Sequence, residues 1–377
     1  MLKQLVKIKH ALKNMYNLPL FFNEMKTNYA KVASDQKLLF TEQAKLVSNS
    51  FYELEAKITK KICVFNSLEN LFPKNYYENF INQDLTERYK TLVSGLDEDS
   101  IKTVNRVLAR IQKYAKYKQT WFETSDAEYK EIEKIRLIYS NGVELSKKDG
   151  IYAFNEFVLA SDVYCASSLY YDCFLREISD AGRKKIYSND IIDAGAFCGD
   201  SAIVLSKYTN KMVHAFEPAN VNYKKLLKTL EINDARNVVP VRKGLGEKTE
   251  IGDLNIIENN EVGASFLKDY SDSLSEKVDI ISIDDYVKEN GLKIGFIKTD
   301  VEGFEQQLLK GAINTIKRDK PVLSISIYHT FNDFFEIKPW IEKLSLGYKF
   351  KVVKPAVEDI CCDVILLCET SADYKEE

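Results

Sequence analysis

A glycine-bearing loop between a predicted strand and a predicted helix is the first stretch of this sequence whose residues could do chemistry. The stretch IIDAGAFCGDSA, residues 191–202, contains Gly195 and Gly199 in the manner of a dinucleotide-binding loop, GxGxxG. The second and third glycine positions of that pattern hold Phe197 and Asp200. Because the second glycine lets the backbone approach a pyrophosphate, these two residues argue against a pyrophosphate ligand and against a dehydrogenase.

The acidic residues around this loop indicate which ligand would fit it. Asp193 lies at the predicted strand end and Asp200 near the helix start, so both would offer negative charge to a cationic group. The next predicted strand ends in HAFEP, where Glu217 could accept hydrogen bonds from two ribose hydroxyls. S-adenosylmethionine, an adenosine that carries an ammonium and a sulfonium, would offer positive charge to the two aspartates and ribose hydroxyls to Glu217. The alternative is an N-cap aspartate and a surface glutamate. The candidate cofactor-binding residues are Asp193, Gly195, Phe197, Gly199, Asp200 and Glu217.

A second group of polar residues follows two later strands. FIKTDVEGFE ends a predicted strand at Asp300 and begins a helix near Glu302, and SIYHTFND ends the next strand with His329. If the two strands are adjacent, these three side chains converge at one mouth. We predict His329 as a general base, because an ordinary histidine pKa of about 6.5 suits proton transfer at neutral pH. Asp300 would orient it or hold an acceptor hydroxyl, with Glu302 beside them.

Structural alternatives to this catalytic group remain open. His329 could bond to backbone at the strand end, and Glu302 could simply favour a helix N-terminus. A divalent cation held by Asp300, Glu302 and His329 would lower the pKa of an acceptor hydroxyl. Their spacing does not match a known metal signature, so no metal site is predicted.

Several motifs together resemble a known family. DIIDAGAFCGDSA, HAFEP, IDDYV, FIKTDVEGFEQQLLKGA and PVLSISIYH…DFF are similar to the FkbM-type S-adenosylmethionine-dependent methyltransferases over about residues 189–369. The resemblance implies a class I methyltransferase sheet, and it matches Asp193, Gly195, Gly199 and Glu217 to cofactor positions. It also implies methyl transfer to a hydroxyl of a sugar, in a surface glycan or its nucleotide-linked precursor. A small secondary metabolite as acceptor, and a methyltransferase-like scaffold without turnover, remain alternatives.

The order of predicted elements indicates the fold and its parts. From residue 189 onward strands alternate with helices, which predicts an α/β doubly wound, mostly parallel sheet with one antiparallel strand among the last two. We predict an α-helical N-terminal region over residues 1–140, a hairpin and helical connector over 141–188, and the methyltransferase domain over 189–377. Apolar seams at residues 47–58 and 101–115 have helical spacing, and the first could form a homodimer.

Composition limits the partners and the compartment. The net charge of −3 argues against nucleic acid as a partner, and the family resemblance implies a sugar or another small molecule as acceptor. The seven cysteines are scattered without CxxC spacing, which indicates free thiols and a cytoplasmic protein. No apolar run is long enough to cross a membrane. The basic, amphipathic opening MLKQLVKIKHALKNMY could touch an anionic membrane surface, although docking on its own domain is favoured.

Two further polar residues receive structural interpretations. Asp284 in SIDDYVKEN is predicted to cap the helix that it begins, because aspartate is a preferred N-cap residue. His214 lies inside an apolar predicted strand, so we expect a buried core residue and not a catalyst.

Overall fold

The computed structural model of the chain describes residues 62–68, 72–140, 143–146, 150–154, 156–163, 165–257, 264–266 and 273–370. The basic opening stretch and the apolar seam at residues 47–58 lie outside these ranges, so the membrane contact and the homodimer stay predictions. Within the described ranges, no helix combines the length and the apolar character needed to cross a lipid bilayer.

The described part of the N-terminal region is mainly helical. Its helices are α1 (Lys74–Asn82), α2 (Thr86–Val93), α3 (Glu98–Tyr117) and α4 (Asp126–Ser140). Helix α3 begins where its sequence predicts, because the carboxylate of Asp97 accepts a hydrogen bond from the Ser100 amide. The prediction of helix throughout was wrong at two short segments. Strands β1 (Ile62–Val64) and β2 (Trp121–Glu123) pair antiparallel, and three residues are too few to show a period.

The connector forms the predicted hairpin, and short helical segments follow it. Strands β3 (Val143–Ser146) and β4 (Ile151–Phe154) pair antiparallel, and β5 (Phe157–Leu159) adds a third strand. Beyond them lie α5 (Ala166–Leu169), a 3-10 segment (Asp172–Glu177) and α6 (Asp180–Tyr187). The consecutive residues Asp172, Cys173 and Phe174 have positive φ angles, which an α-helix cannot accommodate.

The central sheet opens with three parallel strands. They are β6 (Asp190–Ala194), β7 (Val213–Phe216) and β8 (Val238–Val241), with α7 (Asp200–Leu205) and α8 (Asn220–Ile232) between them. Every residue of β7 and all but the first of β6 are buried. Strands covered on both faces appear in a sequence as continuous apolar runs, which is why these were predictable.

A smaller sheet follows that the sequence did not predict. Its strands are β9 (Gly244–Leu245), β10 (Glu250–Ile257), β11 (Ala264–Ser265) and β12 (Ser273–Ile281), in the order β11-β10-β12-β9. Strands β10 and β12 pair antiparallel along their length. Both mix charged residues with apolar ones, so neither contains the continuous apolar run that marks a central strand.

The chain then completes the central sheet. The remaining elements are α9 (Ile283–Asn290), β13 (Ile294–Thr299), α10 (Glu305–Lys310), α11 (Ile313–Asp319), β14 (Val322–Ser326), α12 (Phe331–Lys343), β15 (Tyr348–Val353) and β16 (Ile365–Thr370). The strand order is β15-β16-β14-β13-β6-β7-β8, and only the pairs that include β16 are antiparallel. The predicted doubly wound, mostly parallel α/β sheet is therefore confirmed.

Asp284 caps a different helix from the one predicted. The N-cap of α9 is Ser282, whose hydroxyl accepts a hydrogen bond from the Asp285 amide. The carboxylate of Asp284 instead accepts hydrogen bonds from the amides of Asn314 and Thr315 in the first turn of α11. The prediction of a cap was wrong about the helix, because the free amides that the carboxylate meets belong to a sequence-distant element. Asp284 thereby joins α9 to α11.

The N-terminal helices share a hydrophobic core with the central sheet. The ring of Phe80 in α1 lies 5.0 Å from that of Phe331 and 5.8 Å from that of Phe334, both in α12. Buried residues of α1 and α3 belong to the same apolar cluster as Ile192 of β6. The described N-terminal helices therefore cover this part of the sheet and do not enclose a separate core.

A buried ion pair joins α3 to the first turn of α4. The guanidinium of Arg110 donates two hydrogen bonds to the carboxylate of Glu128, at 2.8 and 3.0 Å, and lies 4.5 Å from the ring centroid of Phe65. Burial alone would raise the pKa of Glu128, but Arg110 and Arg106 outweigh it and the pKa is lowered. This pair holds α4 against α3.

Replacing Glu128 by glutamine (E128Q) leaves the Arg110 charge buried without a counter-charge. We expect the free energy of unfolding to fall by about 3–5 kcal/mol, as for other broken buried pairs. The matched control is Glu231→Gln, whose partner Lys228 lies 2.9 Å away on the exposed surface. That change should cost less than about 1 kcal/mol. Urea denaturation measures both, and equal losses would contradict a stabilising role for the buried pair.

Candidate active site

A cavity of about 530 Å³ lies beyond the carboxyl ends of the central strands. Gly195, Phe197 and Asp200 line it after β6, and Glu217 lines it after β7. Asp300, Glu302, Tyr328 and His329 line it after β13 and β14. Doubly wound sheets bind their ligands at this edge, where the strand order reverses. The structure therefore brings both predicted groups of residues to one cavity.

The loop after β6 requires glycine at two positions for different reasons. Gly195 has a φ of +80°, and a Cβ there would lie 1.8 Å from the carbonyl oxygen of Asp300. Gly199 has a φ of +93°, and a Cβ there would lie 2.9 Å from the side chain of Leu226 in α8. Gly199 thus allows helix packing, whereas Gly195 allows two strand ends to approach. Phe197 between them also has a positive φ, of 44°, which costs a non-glycine residue free energy.

Glu217 both lines the cavity and holds this loop. Its Oε2 accepts a hydrogen bond from the Phe197 amide at 3.0 Å, and its Oε1 accepts one from the Ala219 amide at 2.9 Å. Burial raises the pKa of Glu217 to about 8, against the effect of these backbone bonds. When ionised, Glu217 offers about four acceptor positions, so beyond these two amides and the side chain of Asn222 it can accept a hydrogen bond from a ribose hydroxyl.

Asp193 does not offer its charge to the cavity, which corrects the prediction. The side chain is fully buried and accepts a hydrogen bond from the Ser201 hydroxyl at 2.7 Å. Its Oδ1 lies 3.3 Å from the ammonium of Lys298, which also donates to the carbonyl oxygen of Gly195 at 2.9 Å. The sequence could not reveal this, because the neutralising lysine comes from another strand. Asp193 therefore supports the cofactor loop from behind.

Asp200 lines the cavity but has structural partners as well. Its Oδ2 accepts a hydrogen bond from the Cys165 amide at 2.8 Å, and its Oδ1 accepts one from the Ser201 amide at 2.8 Å. Burial raises the pKa of Asp200. The residue thus joins the connector to the start of α7 while it keeps a carboxylate at the cavity wall.

Asp300, Glu302 and His329 converge as the sequence predicts. The Nε2 atom of His329 lies 3.3 Å from Oδ1 of Asp300 and 3.7 Å from Oε2 of Glu302. Asp300 also accepts hydrogen bonds from the hydroxyls of Ser326 and Tyr328. Glu302 has a positive φ of 53° in the turn before α10. Convergence alone does not test the roles that we predicted for these residues.

Glu305 is the member of this cluster that the sequence reasoning missed. It is fully buried, and its Oε1 lies 2.8 Å from Nδ1 of His329 and accepts a hydrogen bond from the Val301 amide at 2.9 Å. The available signal was the second glutamate of VEGFE, a charged residue that opens an otherwise buried helix turn. Glu305 fixes the orientation of the imidazole ring.

The carboxylates around His329 change its protonation state. Burial alone would lower the pKa of His329, but Glu305, Glu302 and Asp300 outweigh it and hold the pKa well above its usual value. These carboxylates therefore favour the protonated imidazole, whereas the prediction of a general base assumed an ordinary histidine pKa. Burial raises the pKa of Glu302 to about 7, with Asp300 and Glu305 adding to the effect and His329 opposing it.

Three side chains of the same cluster are close enough together to coordinate one divalent cation. Asp300, Glu305 and His329 each offer one ligand atom, and these atoms lie within 4.8 Å of one another. Oxygen and imidazole ligands suit several divalent metals. The sequence alternative named Glu302, whereas this set contains Glu305.

His214 lies away from the cavity, as predicted. It is buried in β7, and its Nδ1 lies 2.9 Å from the hydroxyl of Tyr286. Burial lowers the pKa of His214. The expectation of a core residue is confirmed.

Comparison with known proteins identifies the domain that contains the cavity. Residues 193–350 match the model of the methyltransferase FkbM domain. The chain is similar to the methyltransferase FkbM of Methylobacillus flagellatus KT, with 22% identity and a TM-score of 0.48, over 75% of this chain and 58% of that one. The chain therefore spans little more than half of that protein's length. No curated protein significantly matches the sequence.

Two other solved structures are similar to part of the chain. An rRNA methylase from Streptococcus thermophilus is 15% identical over 51% of this chain and 92% of that one, with a TM-score of 0.33. Fibrillarin from Aeropyrum pernix, with natively bound S-adenosyl-L-methionine, is 14% identical over 49% of this chain and 67% of that one, with a TM-score of 0.31.

The cavity thus belongs to an S-adenosylmethionine-dependent methyltransferase domain of class I fold. Residues 193–350 match, more narrowly, the FkbM methyltransferase domain, and the resemblance predicted from the sequence motifs is confirmed. The cofactor of such a domain is S-adenosylmethionine, as predicted.

Alanine at Gly195 should disrupt the cofactor loop. The new methyl would collide with the Asp300 carbonyl, so we expect a lower Tm and at least tenfold weaker binding of S-adenosylhomocysteine by calorimetry. The matched control is Gly95→Ala, because Gly95 has a φ of +72° with no atom within 4 Å of the added Cβ. That variant should lose only about 1–2 kcal/mol of stability and bind normally. Normal binding by G195A would contradict the role of this approach.

Proposed function

We propose that this protein transfers a methyl group from S-adenosylmethionine to a hydroxyl oxygen of a sugar, in a surface glycan or its nucleotide-linked precursor. The observation that carries the proposal is one cavity lined both by Gly195 and Glu217 and by Asp300, Glu302 and His329. A methyl donor and an acceptor must share such a space, because displacement at the methyl carbon needs both reactants aligned. The sugar acceptor is supported by the family resemblance.

The residues at one end of the cavity fit S-adenosylmethionine. Glu217 and Asp200 offer carboxylates to hydroxyl and ammonium groups, and the loop lacks the glycine that a pyrophosphate requires. We propose that Glu217 holds the ribose and that Asp200 attracts the ammonium. Asp193, Gly195 and Gly199 would act by shaping the loop that carries Phe197. When bound, S-adenosylmethionine supplies an electrophilic methyl group.

The acid cluster would handle the proton of the acceptor hydroxyl. A positioned base contributes about 10²–10⁴-fold to such a step. We assign proton acceptance to Glu302 and not to His329, because burial raises the pKa of Glu302 to about 7 whereas the carboxylates around His329 favour its protonated form. His329 would orient the hydroxyl through Nε2, with Glu305 holding its other nitrogen. Glu302 would accept the hydroxyl proton as the oxygen–methyl bond forms and the sulfur–methyl bond breaks, which leaves S-adenosylhomocysteine, and Asp300 would stay paired with the imidazole of His329.

A product analysis tests the proposal. The purified protein is incubated with S-adenosylmethionine labelled in its methyl group and with free, nucleotide-linked and glycan-bound sugars. We expect label in an alkali-stable methyl ether, because methyl esters are cleaved by alkali. Label in an ester or an amine would reject hydroxyl transfer. Binding of S-adenosylhomocysteine without transfer to any sugar would favour a small secondary metabolite, and no binding would favour an inactive scaffold.

The free cysteines support a cytoplasmic location for this activity. All seven cysteines are free, and five of them are buried. Disulfides are rare in reducing compartments, where thiols such as these persist. Separating cell fractions and detecting the protein in each would test the location.

Alanine at Glu217 and at His329 should separate binding from turnover. E217A removes hydrogen bonds to the loop and the proposed ribose contacts, so we expect about tenfold to a hundredfold weaker binding of S-adenosylhomocysteine. H329A should bind S-adenosylhomocysteine as the wild type does. It should form S-adenosylhomocysteine more slowly when it is incubated with S-adenosylmethionine and an acceptor. Calorimetry and a product-release assay measure the two effects. Equal affinities of E217A and the wild type would contradict the cofactor assignment.

The rate should depend on pH through Glu302. Because its pKa is raised to about 7, the carboxylate that accepts a proton forms only as the pH rises through neutrality. We expect the wild-type rate to increase across this range, and Glu302→Gln to lose the increase and about 10²-fold in rate. Glu231→Gln, on the exposed surface, should keep the wild-type profile. An unchanged profile in E302Q would assign the base to another group.

A further inference from the structure

Part of the cavity wall comes from outside the matched FkbM segment. Helix α4 contributes Ile132, Ile135 and Arg136, whose spacing puts them on one face of the helix. The loop between β15 and β16 contributes Val357, Glu358, Asp359, Cys362 and Asp363. These residues line the same cavity as the acid cluster after β13 and β14. They form the region, here called the acceptor wall, that the FkbM match alone does not describe.

The acceptor wall and the acid cluster together are rich in carboxylates. The acidic residues that line this side are Asp300, Glu302, Glu358, Asp359 and Asp363. Arg136 is the cation of the acceptor wall, and it pairs with Glu358, with Nε 2.9 Å from Oε2. Lys298 is occupied by Asp193 behind the loop. Lys243 also lines the cavity but follows β8, three strands away from β13, and the imidazole of His329 lies among Asp300, Glu302 and Glu305. Among the described residues, no cation that lines the cavity forms an ion pair with Asp359 or Asp363.

Asp359 and Asp363 have neutral hydrogen-bond donors. The side-chain amide of Asn66 donates to Asp359 at 2.7 Å, and the thiol of Cys165 donates to Asp363 at 3.2 Å. Lys354 attracts both electrostatically, but no ion pair joins it to either among the described residues, and its Nζ donates to a backbone carbonyl. These two carboxylates thus face the cavity without a direct cationic partner.

A second observation points to a ligand at the same place. The Nε2 atom of His329, a residue that lines the cavity, is buried and makes no hydrogen bond among the described residues, although it lies 3.3 Å from Oδ1 of Asp300. Its other ring nitrogen is held by Glu305, so the ring cannot turn away without losing that bond. Nε2 is therefore oriented for an oxygen atom of a bound molecule, such as a hydroxyl.

We propose that the acceptor is a sugar-sized molecule carrying both a hydroxyl and a protonated amine, and that phosphorylated and nucleotide-linked sugars are excluded. This inference rests on the proposed function and narrows its acceptor. An ammonium offers three donors to Asp359, Asp363 and the acid cluster. A phosphate would lose hydration and meet carboxylates of the same charge, which disfavours its binding. The hydroxyl lies at His329 Nε2 while the amine meets the acceptor wall.

Three sugars that differ mainly in charge test this selectivity. Glucose, glucosamine and glucose 1-phosphate are titrated calorimetrically into the protein saturated with S-adenosylhomocysteine, in buffer with EDTA. We expect glucosamine to bind at least about tenfold more tightly than glucose, as a charge-assisted hydrogen bond allows, and glucose 1-phosphate to show no saturable binding. Glucosamine that binds no better than glucose, or not at all, overturns the proposal. So does glucose 1-phosphate that binds as well as glucose.

Isosteric variants locate the effect. Asp359→Asn and Asp363→Asn should each reduce the preference for glucosamine over glucose by about threefold to tenfold, with the affinity for S-adenosylhomocysteine unchanged. Asp234→Asn, exposed and distant beside Arg236, is the matched control and should keep the preference. An unchanged preference in both cavity variants overturns the assignment to the acceptor wall.

Two further outcomes keep this inference separate from the proposed function. If S-adenosylhomocysteine itself does not bind, the proposed function fails first. If it binds normally but the sugars show no charge preference, only the acceptor inference fails. Titration with Mg²⁺ in place of EDTA is the third arm. Saturable Mg²⁺ binding that abolishes the preference for glucosamine would mean that these carboxylates serve a metal ion and not an amine.

Discussion

The ammonium of Lys298 connects the cofactor loop to the acid cluster. In the sheet, Lys298 of β13 lies beside Asp193 of β6, and its Nζ reaches both that carboxylate and the carbonyl of Gly195. Burial alone would lower the pKa of Lys298, but Asp193 and Asp300 outweigh it and raise the pKa, so the amine stays charged. Without this charge, Asp193 would be buried and unpaired, which proteins avoid. Lys298 thus reinforces the backbone pairing of β6 with β13, which brings the cofactor loop and the acid cluster together.

The elements that could be predicted from sequence are those whose signal is local. Strands β6, β7, β13 and β14 are covered on both faces, so their apolar runs are visible without any knowledge of their neighbours. The sheet of β10 and β12 was missed because these strands mix charged with apolar residues and show neither a continuous apolar run nor a strict alternation. The positive φ angles at residues 172–174 were missed because the segment contains no glycine or asparagine, the residues that most often adopt them.

The features of the candidate site also fall into those that the sequence predicted and those that depend on packing. Convergence of Asp300, Glu302 and His329 followed from strand ends that meet at one edge of a parallel sheet. The raised pKa of His329 could not be inferred from strand ends, because it depends on the buried Glu305 and on how three carboxylates surround the imidazole ring. The partner of Asp193 was equally invisible, since it is set by the register of two strands more than a hundred residues apart. Residue type predicts which groups meet, whereas packing decides their charge.

Residues 193–350 are a unit of sequence similarity but not of independent folding. Helix α12 lies inside this segment, whereas Phe80, which packs on Phe331 and Phe334, lies outside it. Strand β16, which separates β14 from β15, also lies outside. A fragment trimmed to the similarity boundary would expose aromatic rings and two unpaired strand edges, the features that promote aggregation. We therefore expect the smallest fragment that folds on its own to be considerably larger than the segment that matches the family.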